Sequence, residues 1–454
     1  MTAATPSESG PGATAGDPGY PGDPDTAPGS ARRRAAAGLT AVFGRSPAGF
    51  VFSPYRICPL GAHVDHQDGA VTGMAIDRGV AVAYAPRSDR TVRAASADFA
   101  EGVTFGLDDV PPAVPGDWGN FLRGAALVLQ SAAAGSGRPP LRGVDLFVAG
   151  ELPIGGLSSS AAVAVGYLMA LNAAAGGPAP EAGGVSAERY AELVHRVEND
   201  YVGLRSGVLD QSMILFARQD RLLHLDCRSG ERAYAAFGGA GGPPAILVAY
   251  SGLAQALVGT GYNQRVAECR AAAAGLLEAV GRPVPAGGAV LRDVPVDVYE
   301  RHRGGLPAPL ARRAAHYFGE QARVAAGTAA WRAGDRAAFG RLMAASGRSS
   351  IDNYECGAPE LVDLYEALLD APGVYGARFS GAGFRGACLA LVDPPAFAAA
   401  AGAVRERYLR RYPRYAATFG VFRCASGPPA GLLPAPAGAS GAAGDGGAAR
   451  GGPA

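Results

Sequence analysis

Short apolar runs alternate with stretches of helical periodicity in the first half of the chain. The runs lie between turn-forming residues, as expected of strands, whereas the longer stretches repeat apolar residues every three or four positions, which is typical of helices. The pattern predicts one α+β unit that ends near Arg232. The predicted strands are residues 80–84, 146–148 and 222–227, and the predicted helices are residues 118–130 and 187–202.

A second α+β unit is predicted after a glycine- and proline-rich break, GGAGGPP, at residues 238–244. Strands and helices are mixed in both halves, so the predicted fold class is α+β, with domains over residues 32–238 and 243–426. The predicted strands of the second unit are residues 245–250, 374–379 and 388–392, and its predicted helices are residues 262–279, 310–332 and 359–369.

Both ends of the chain are poor in core-forming residues. Residues 1–31 and 427–454 consist largely of Gly, Pro, Ala and small polar residues, which bury too little apolar surface to offset the entropy of folding. Both ends are therefore predicted to be disordered tails. The stretch between them is long enough to build two substantial cores.

The charge balance argues against several classes of partner. Lys and Arg together number 41 against 40 Asp and Glu, a formal net charge of +1, so neither nucleic acid nor an anionic membrane is expected as a partner. The chain does not open on a secretory apolar segment, and no apolar run reaches the ~18 residues of a membrane span. We expect a cytoplasmic protein without an obligate protein partner. The six cysteines are widely spaced, which favours free buried thiols over zinc or disulfide sites.

Every basic residue is Arg, and the sequence contains no Lys. A P-loop lysine, a protein-kinase phosphate-binding lysine and a Schiff-base lysine are therefore excluded. Phosphate can still be held by a helix N-terminus that follows glycines. The segment IGGLSSSAAVAVG, with Gly155 and Gly156 before three serines, has that form. Alone, it equally fits an ordinary core helix capped by serine.

Two further segments carry candidate chemistry. In VENDYVGLRSGVLDQ, Glu198 and Asp210 suit a division of labour between a metal ligand and a proton acceptor, although single acids of this kind are often solvated surface residues. In RFSGAGFRGAC, glycines 381, 383 and 386 predict a turn between strands, which is weak evidence of function by itself.

The segment SPYRICPLGAHVDHQDGA, from Ser53, concentrates Arg56, His63, Asp65 and His66. Its histidines and aspartate could in principle bind a transition metal, but no further cluster of ligands accompanies them. Hydrogen bonding to a substrate or to the backbone is the better interpretation.

Together, these segments resemble the GHMP kinase superfamily in content and in order, and resemble its galactokinase-like members most. PYRICPLGAHVDHQDGAV is similar to the galactokinase signature, GLSSSAA to the phosphate-binding motif, SGAGFRGAC to the C-terminal glycine motif, and GVLDQSMILFARQDRLLHLDC to the segment with the catalytic aspartate. Within the family, RICPLGAHVDHQ and YVGLRSGVLDQS look most like galacturonokinases. The resemblance implies a ribosomal-S5-like N-terminal domain, a ferredoxin-like C-terminal domain and a site between them.

The resemblance also implies a role for each matching residue. Asp210 would accept the proton of the anomeric hydroxyl beside Arg56, and an adjacent guanidinium keeps such a carboxylate ionised. ATP is the implied phosphoryl donor, and Mg²⁺ the implied ion. The implied ATP-binding residues are Gly155, Gly156, Leu157, Ser158, Ser159, Ser160, Gly381 and Gly383, the implied Mg²⁺ ligands are Ser160 and Glu198, and the implied sugar contacts are His63, Asp65 and Tyr262.

Ala62 is the departure that bears on the substrate. Galactokinases have a glutamate here that contacts the C6 hydroxyl of galactose, and a sugar with a carboxylate at C6 would be repelled by that glutamate. Arg205 is the predicted partner of such a carboxylate. Arg385 is a second candidate for that role, although a structural or nucleotide-side role fits it equally.

The predicted activity is ATP-dependent phosphorylation of D-galacturonate at its anomeric hydroxyl, which gives galacturonate 1-phosphate and ADP. Two alternatives stay open. One is a galactokinase, or a kinase of arabinose or glucuronate, with the same fold. The other is a non-catalytic sugar sensor.

Overall fold

The computed structural model describes residues 26–133, 139–180, 183–253, 261–384 and 386–435. The helices are α1 Ser30–Phe43, α2 Asn120–Ala133, α3 Ser159–Ala174, α4 Ala187–Arg196, α5 Leu209–Phe216, α6 Tyr262–Glu278, α7 Val296–His302, α8 Ala308–Ala333, α9 Arg336–Asp352, α10 Pro359–Leu369 and α11 Phe397–Arg411. The strands are β1 Gly49–Ile57, β2 Ala70–Pro86, β3 Thr91–Ser96, β4 Val103–Gly106, β5 Val144–Gly150, β6 Leu222–Asp226, β7 Arg232–Ala235, β8 Ala245–Tyr250, β9 Val374–Phe379, β10 Ala387–Val392, β11 Gly420–Cys424 and β12 Gly431–Pro434.

The first half of the chain builds a mostly antiparallel sheet in the order β12-β1-β2-β5-β3-β4, and β6 and β7 continue from β2. Only the β3–β5 pairing in this sheet is parallel. Helix α3 packs against β1 and β2. Almost all of its apolar residues are buried, which explains why its sequence is apolar on every side rather than amphipathic. The predicted strands 80–84 and 146–148 lie within β2 and β5. The predicted helix 118–130 begins two residues before α2, the predicted strand 222–227 ends one residue after β6, and the predicted helix 187–202 covers α4 and the π-helical turn Val197–Val202.

The second half forms a four-stranded antiparallel sheet in the order β11-β8-β10-β9. Numbered within this half, the order is 4-1-3-2, the arrangement of a ferredoxin-like domain. The predicted break at residues 238–244 falls between β7 and β8. Both halves are therefore α+β.

The prediction of a disordered tail after residue 426 is wrong for residues 431–434. These residues form β12, which pairs antiparallel with β1 and brings Leu433 opposite Phe50. At the other end, α1 begins at Ser30, and the backbone N–H of Gly29 donates to Glu151 Oε1 at 2.5 Å. Backbone pairing needs few apolar side chains, so composition alone did not reveal either contact.

The hydrophobic clusters cross the boundary between the two halves in both directions. Ile246, Val248 and Leu389 of the second sheet pack in the large cluster of the first half. Ala62, Val64 and Val71, which belong to the first half in sequence, pack in the core of the second sheet. The segment between β1 and β2 is therefore held by the C-terminal domain. Among the described residues, none of the helices combines the length and hydropathy that a bilayer crossing requires.

Candidate active site

A cavity of about 920 Å³ lies between the two domains. Its walls come from the end of β1 and the segment after it, the start of α3, the loop before α5, and β9 with the turn after it. The chain thus brings its separate motifs to one place. The predicted site residues that line the cavity are Arg56, Ala62, His63, Asp65, Gly155, Gly156, Ser158, Ser159, Ser160, Glu198, Asp210, Tyr262 and Gly381.

Arg56 and Asp210 form an ion pair in the cavity wall. Arg56 Nε donates to Asp210 Oδ1 at 2.7 Å, and the side chains of Arg56 and Asp210 are 3% and 28% exposed. Burial alone would lower the pKa of Arg56, but Asp210 raises it. Arg56 Nη1 is buried and has no hydrogen-bond partner among the described residues. A buried, charged donor without a partner can form a strong hydrogen bond with an anionic group that enters the cavity.

Glu198 is a second carboxylate close to Asp210. It lies in a π-helical turn, Val197–Val202, that continues α4; turns of this kind are frequent at functional sites. Ser206 Oγ donates to Glu198 Oε2 at 3.0 Å, and the Ser160 hydroxyl also bonds to Glu198. Burial and the nearby Asp210 raise the pKa of Glu198 to about 8. An anion held here without a cation is destabilised.

Asp65 faces the same group of acids. Its Oδ2 accepts a hydrogen bond from Leu209 N at 3.3 Å, at the start of α5. A Cβ atom on Gly207 would lie 2.4 Å from Asp65 Oδ2, so only glycine allows this approach. Burial and Asp210 raise the pKa of Asp65 to about 6.

The two glycine-rich turns meet face to face across the domain boundary. Gly156 has a φ of +80°, and an added Cβ would lie 2.7 Å from Ala387 N. The following Ser158 also has a left-handed φ of +58°. The hydroxyls of Ser158 and Ser159 are buried and have no partner among the described residues. Ser158 does not cap helix α3 with its side chain, so a purely structural capping role does not account for these serines.

Ala62 and His63 line the end of the cavity nearest the C-terminal core. The His63 ring stacks on Tyr354 with the ring centroids 4.2 Å apart. Burial lowers the pKa of His63 well below its usual value, and His316 and Arg378 lower it further. His63 is therefore neutral, and no acidic side chain stands at position 62.

Among the described residues, no group of three or more His, Cys, Asp or Glu side chains is arranged to hold a metal ion. His66 bonds instead to Tyr354, with its Nε2 atom 3.2 Å from the tyrosine hydroxyl. The contacts of His66 thus fit the hydrogen-bonding interpretation better than a transition-metal site.

Three predicted residues do not line the cavity. Leu157 is buried, and its carbonyl oxygen accepts from Arg56 N at 3.4 Å. Gly383 packs beside Cys356. The Arg205 side chain is exposed, so the structure does not place it with the predicted sugar contacts. Arg385 lies outside the described residues.

Comparison with known proteins identifies the family. Residues 39–86 match the galactokinase galactose-binding signature, residues 120–218 the GHMP kinases N terminal domain, and residues 328–409 the GHMP kinases C terminal family. The chain is 43% identical over 385 residues to the galacturonokinase of Arabidopsis thaliana, covering 81% of this chain and 88% of the relative. The chain belongs to the GHMP kinase family, among its galactokinase-like members.

Other relatives agree with this assignment. A galactokinase of Roseiflexus sp. (strain RS-1) is 38% identical over 360 residues, covering 77% of this chain and 85% of the relative. The crystal structure of Lactococcus lactis galactokinase complexed with galactose superposes with a TM-score of 0.76 at 27% identity, over 87% of this chain and 98% of that one. The chain is therefore an ATP-dependent sugar kinase with the two-domain GHMP kinase fold. The expectation of an enzyme is confirmed over the alternative of a non-catalytic sensor.

Two parts of the kinase cavity were missed from sequence. At one end, Phe99 and Trp118 stack with ring centroids 5.5 Å apart and leave an apolar wall. The Arg378 side chain also lines the cavity, although the residue as a whole is fully buried. Arg378 stands inside an apolar strand, where the sequence pattern shows only a strand.

Gly156→Ala is expected to raise the KM for ATP at least tenfold while the sugar KM changes less. The left-handed φ alone costs a non-glycine residue about 1–2 kcal/mol, and the new Cβ would also push against Ala387 N. Gly176→Ala is the matched control, because Gly176 has a φ of +83° and open space around it. Steady-state kinetics on both variants tests the contact. Equal ATP KM values for the two variants would show that the close approach of Gly156 to Ala387 does not shape the ATP site.

Proposed function

We propose that this kinase transfers the γ-phosphoryl group of ATP to the anomeric hydroxyl of D-galacturonate. In the reaction, the anomeric oxygen forms a bond to the γ-phosphorus as the bond to the β-γ bridging oxygen breaks. The hydroxyl proton passes to Asp210. The products are galacturonate 1-phosphate and ADP.

Asp210 and Arg56 support this chemistry as a pair. Asp210 is partly exposed in the cavity and carries its acceptor oxygens there, as a base for a sugar hydroxyl requires. Arg56 holds that carboxylate in place. Its unpaired Nη1 donor is available to offset charge on the transferred phosphoryl group.

The start of α3 supplies the phosphate site. Backbone N–H groups at this helix N-terminus and the free hydroxyls of Ser158 and Ser159 can hold phosphate oxygens without lysine. The apolar wall of Phe99 and Trp118 suits the nucleotide base.

Ser160 and Glu198 would hold Mg²⁺. Both offer oxygen ligands. Burial and the nearby Asp210 raise the pKa of Glu198, and a bound cation would favour its charged form. When bound, Mg²⁺ neutralises charge on the β- and γ-phosphates. The protein's part is to present a hydroxyl and a carboxylate from α3 and the π-helical turn.

One observation favours galacturonate over galactose: Ala62 lines the cavity in place of a carboxylate, beside a buried cation. Glu320 Oε2 accepts from Gly61 N at 2.7 Å and lies 4.0 Å from Arg378 Nη1, so one carboxylate links this guanidinium to the backbone of Gly61, the residue before Ala62. Glu320 is also bound at 2.6 Å by Arg323. Two guanidinium groups thus share one carboxylate, and the surplus positive charge suits an anionic sugar. We assign the carboxylate partner to Arg378 in place of Arg205.

A coupled assay of ADP release tests the substrate. Galacturonate, galactose, glucuronate and arabinose are compared with the same enzyme preparation, and one arm omits Mg²⁺ and adds EDTA. We expect kcat/KM for galacturonate to exceed that for galactose at least tenfold, and turnover to stop without Mg²⁺. A higher kcat/KM for galactose would identify the protein as a galactokinase instead.

A further inference from the structure

Helix α8 of the C-terminal domain grips the backbone of the segment between β1 and β2. Glu320 Oε2 accepts from Gly61 N at 2.7 Å, and His316 Nε2 donates to the carbonyl oxygen of Ala62 at 2.9 Å. Further along the segment, Gln321 Oε1 accepts from Ala70 N at 2.9 Å. Positions 316 and 320 lie one turn apart on the same face of the helix, and Gln321 directly follows Glu320. Two turns of α8 therefore fix both ends of the segment that carries Ala62, His63 and Asp65.

This segment needs outside support because its backbone is unfavourable at His63 and takes a form at position 61 that only glycine tolerates. Gly61 has a φ of +90° and lies so close to Val71 that an added Cβ would be 2.7 Å from its Cα. His63 has a φ of +61°, which costs a residue with a side chain about 1–2 kcal/mol. The bonds from α8 fix the backbone at Gly61, Ala62 and Ala70. Other elements hold the side chains between them: His63 stacks on Tyr354, and Leu209 N donates to Asp65 Oδ2.

Glu320 is buried and accepts several hydrogen bonds at once. Besides Gly61, it accepts from Ser346 Oγ at 2.9 Å and from Arg323 Nε at 2.6 Å. Burial alone would raise the pKa of Glu320, but the guanidinium groups of Arg323 and Arg378 lower it. Glu320 is thus a fully buried, ionised group that takes no part in the chemistry proposed above.

The protonation state of the His316 ring follows from its hydrogen-bond partners, Ala62 and Ser349. The carbonyl oxygen of Ala62 can only accept, so Nε2 carries the proton. Nδ1 then accepts from Ser349 Oγ at 3.0 Å. Burial lowers the pKa of His316, which keeps the ring neutral and this arrangement fixed.

We propose that His316 and Glu320 are positioning residues of the sugar site, which hold the Gly61 and Ala62 backbone so that the side chains at 62, 63 and 65 face the sugar. The inference rests on the proposed function in placing the sugar at this end of the cavity. It predicts that loss of the bonds from His316 and Glu320 to the Gly61 and Ala62 backbone weakens sugar binding and not ATP binding. The start of α3, where ATP phosphates bind, and the Arg56–Asp210 pair keep their own contacts.

Two amide substitutions at His316 separate the two bonds of its ring. In His316→Gln, the amide nitrogen reaches the place of Nε2 and can still donate to Ala62. In His316→Asn, the shorter amide reaches the place of Nδ1 and Ser349 only. We expect His316→Asn to raise the sugar KM at least tenfold, equivalent to about 1.4 kcal/mol. The kcat and the ATP KM should stay within about threefold, and His316→Gln should retain most of the sugar affinity.

Glu268→Gln is the matched control for general loosening of helix α8. Glu268 Oε2 accepts from the buried Arg313 of α8 at 2.7 Å, and its bonds are to residues outside the segment 61–70. We expect its sugar KM to be unchanged. Calorimetry with sugar and no ATP measures the sugar dissociation constant of each variant, and so compares sugar affinity without turnover.

Equal sugar KM values for His316→Asn and His316→Gln, or an equal rise in the ATP KM, would overturn the positioning role. The test uses whichever sugar the wild-type enzyme turns over best. A preference for galactose would therefore refute the proposed substrate and leave this test intact, whereas an unmoved sugar KM would refute the positioning role with either sugar.

Discussion

Asp210→Asn is expected to lower kcat by about 10²–10⁴, the range that general-base catalysis contributes, while sugar and ATP still bind. The amide keeps the size of the side chain and can remain beside Arg56, but it cannot take the proton of the sugar hydroxyl. Because the amide has the size of the carboxyl group and Asp210 is 28% exposed, we expect the substitution to leave the fold intact. Initial rates give kcat, and calorimetry gives the two dissociation constants.

Asp226→Asn provides the matched control for that experiment. Asp226 is also partly buried, with a side chain 19% exposed, and is paired with Arg292 at 2.5 Å, but it does not line the cavity. Its kcat should match the wild-type value. If Asp210→Asn kept more than a tenth of wild-type kcat, Asp210 would not be the base, and Arg56 with the phosphate site would have to account for the rate.

The parts of the fold and site that could be predicted from sequence depend on short-range physics. The glycines and serines before α3 fix a turn and a helix start within a few residues, so the start of α3 after Gly155 and Gly156 could be predicted directly. The strands β8 and β10 are short apolar runs between turn residues and were found in the same way. In both cases, the residues that decide the structure are neighbours in the chain.

The rest depends on contacts between residues far apart in sequence. Strand β12 exists because residues 431–434 find a free edge of β1 about 380 residues earlier. Arg378 can be buried because Ser346 and Ser350 of α9 and the carbonyl oxygen of Phe379 accept its hydrogen bonds. Partners so far apart leave no local pattern in the sequence. Sequence analysis therefore predicted the exposed Arg205, and not Arg378, as the partner of the sugar carboxylate.

Ala62→Glu is expected to lower kcat/KM for galacturonate at least a hundredfold and to leave galactose turnover unchanged or improved. Two unit charges 4 Å apart at an effective dielectric constant of 20 interact by about 4 kcal/mol, which is more than enough for this effect. The introduced carboxylate would take the place that we assign to the carboxylate of the sugar, close to Arg378. The ratio of kcat/KM for galacturonate to kcat/KM for galactose, compared between the wild type and Ala62→Glu, measures the change in sugar preference.

Ala62→Gln separates charge from size in that experiment. Ala62 is only 5% exposed, so any longer side chain takes up space at the sugar end of the cavity. The glutamine has the same length as the glutamate but no charge, so we expect it to lose at least tenfold less galacturonate activity. Equal losses for the two variants would mean that position 62 selects by volume alone. The surplus positive charge at Arg378 would then have no role in substrate choice.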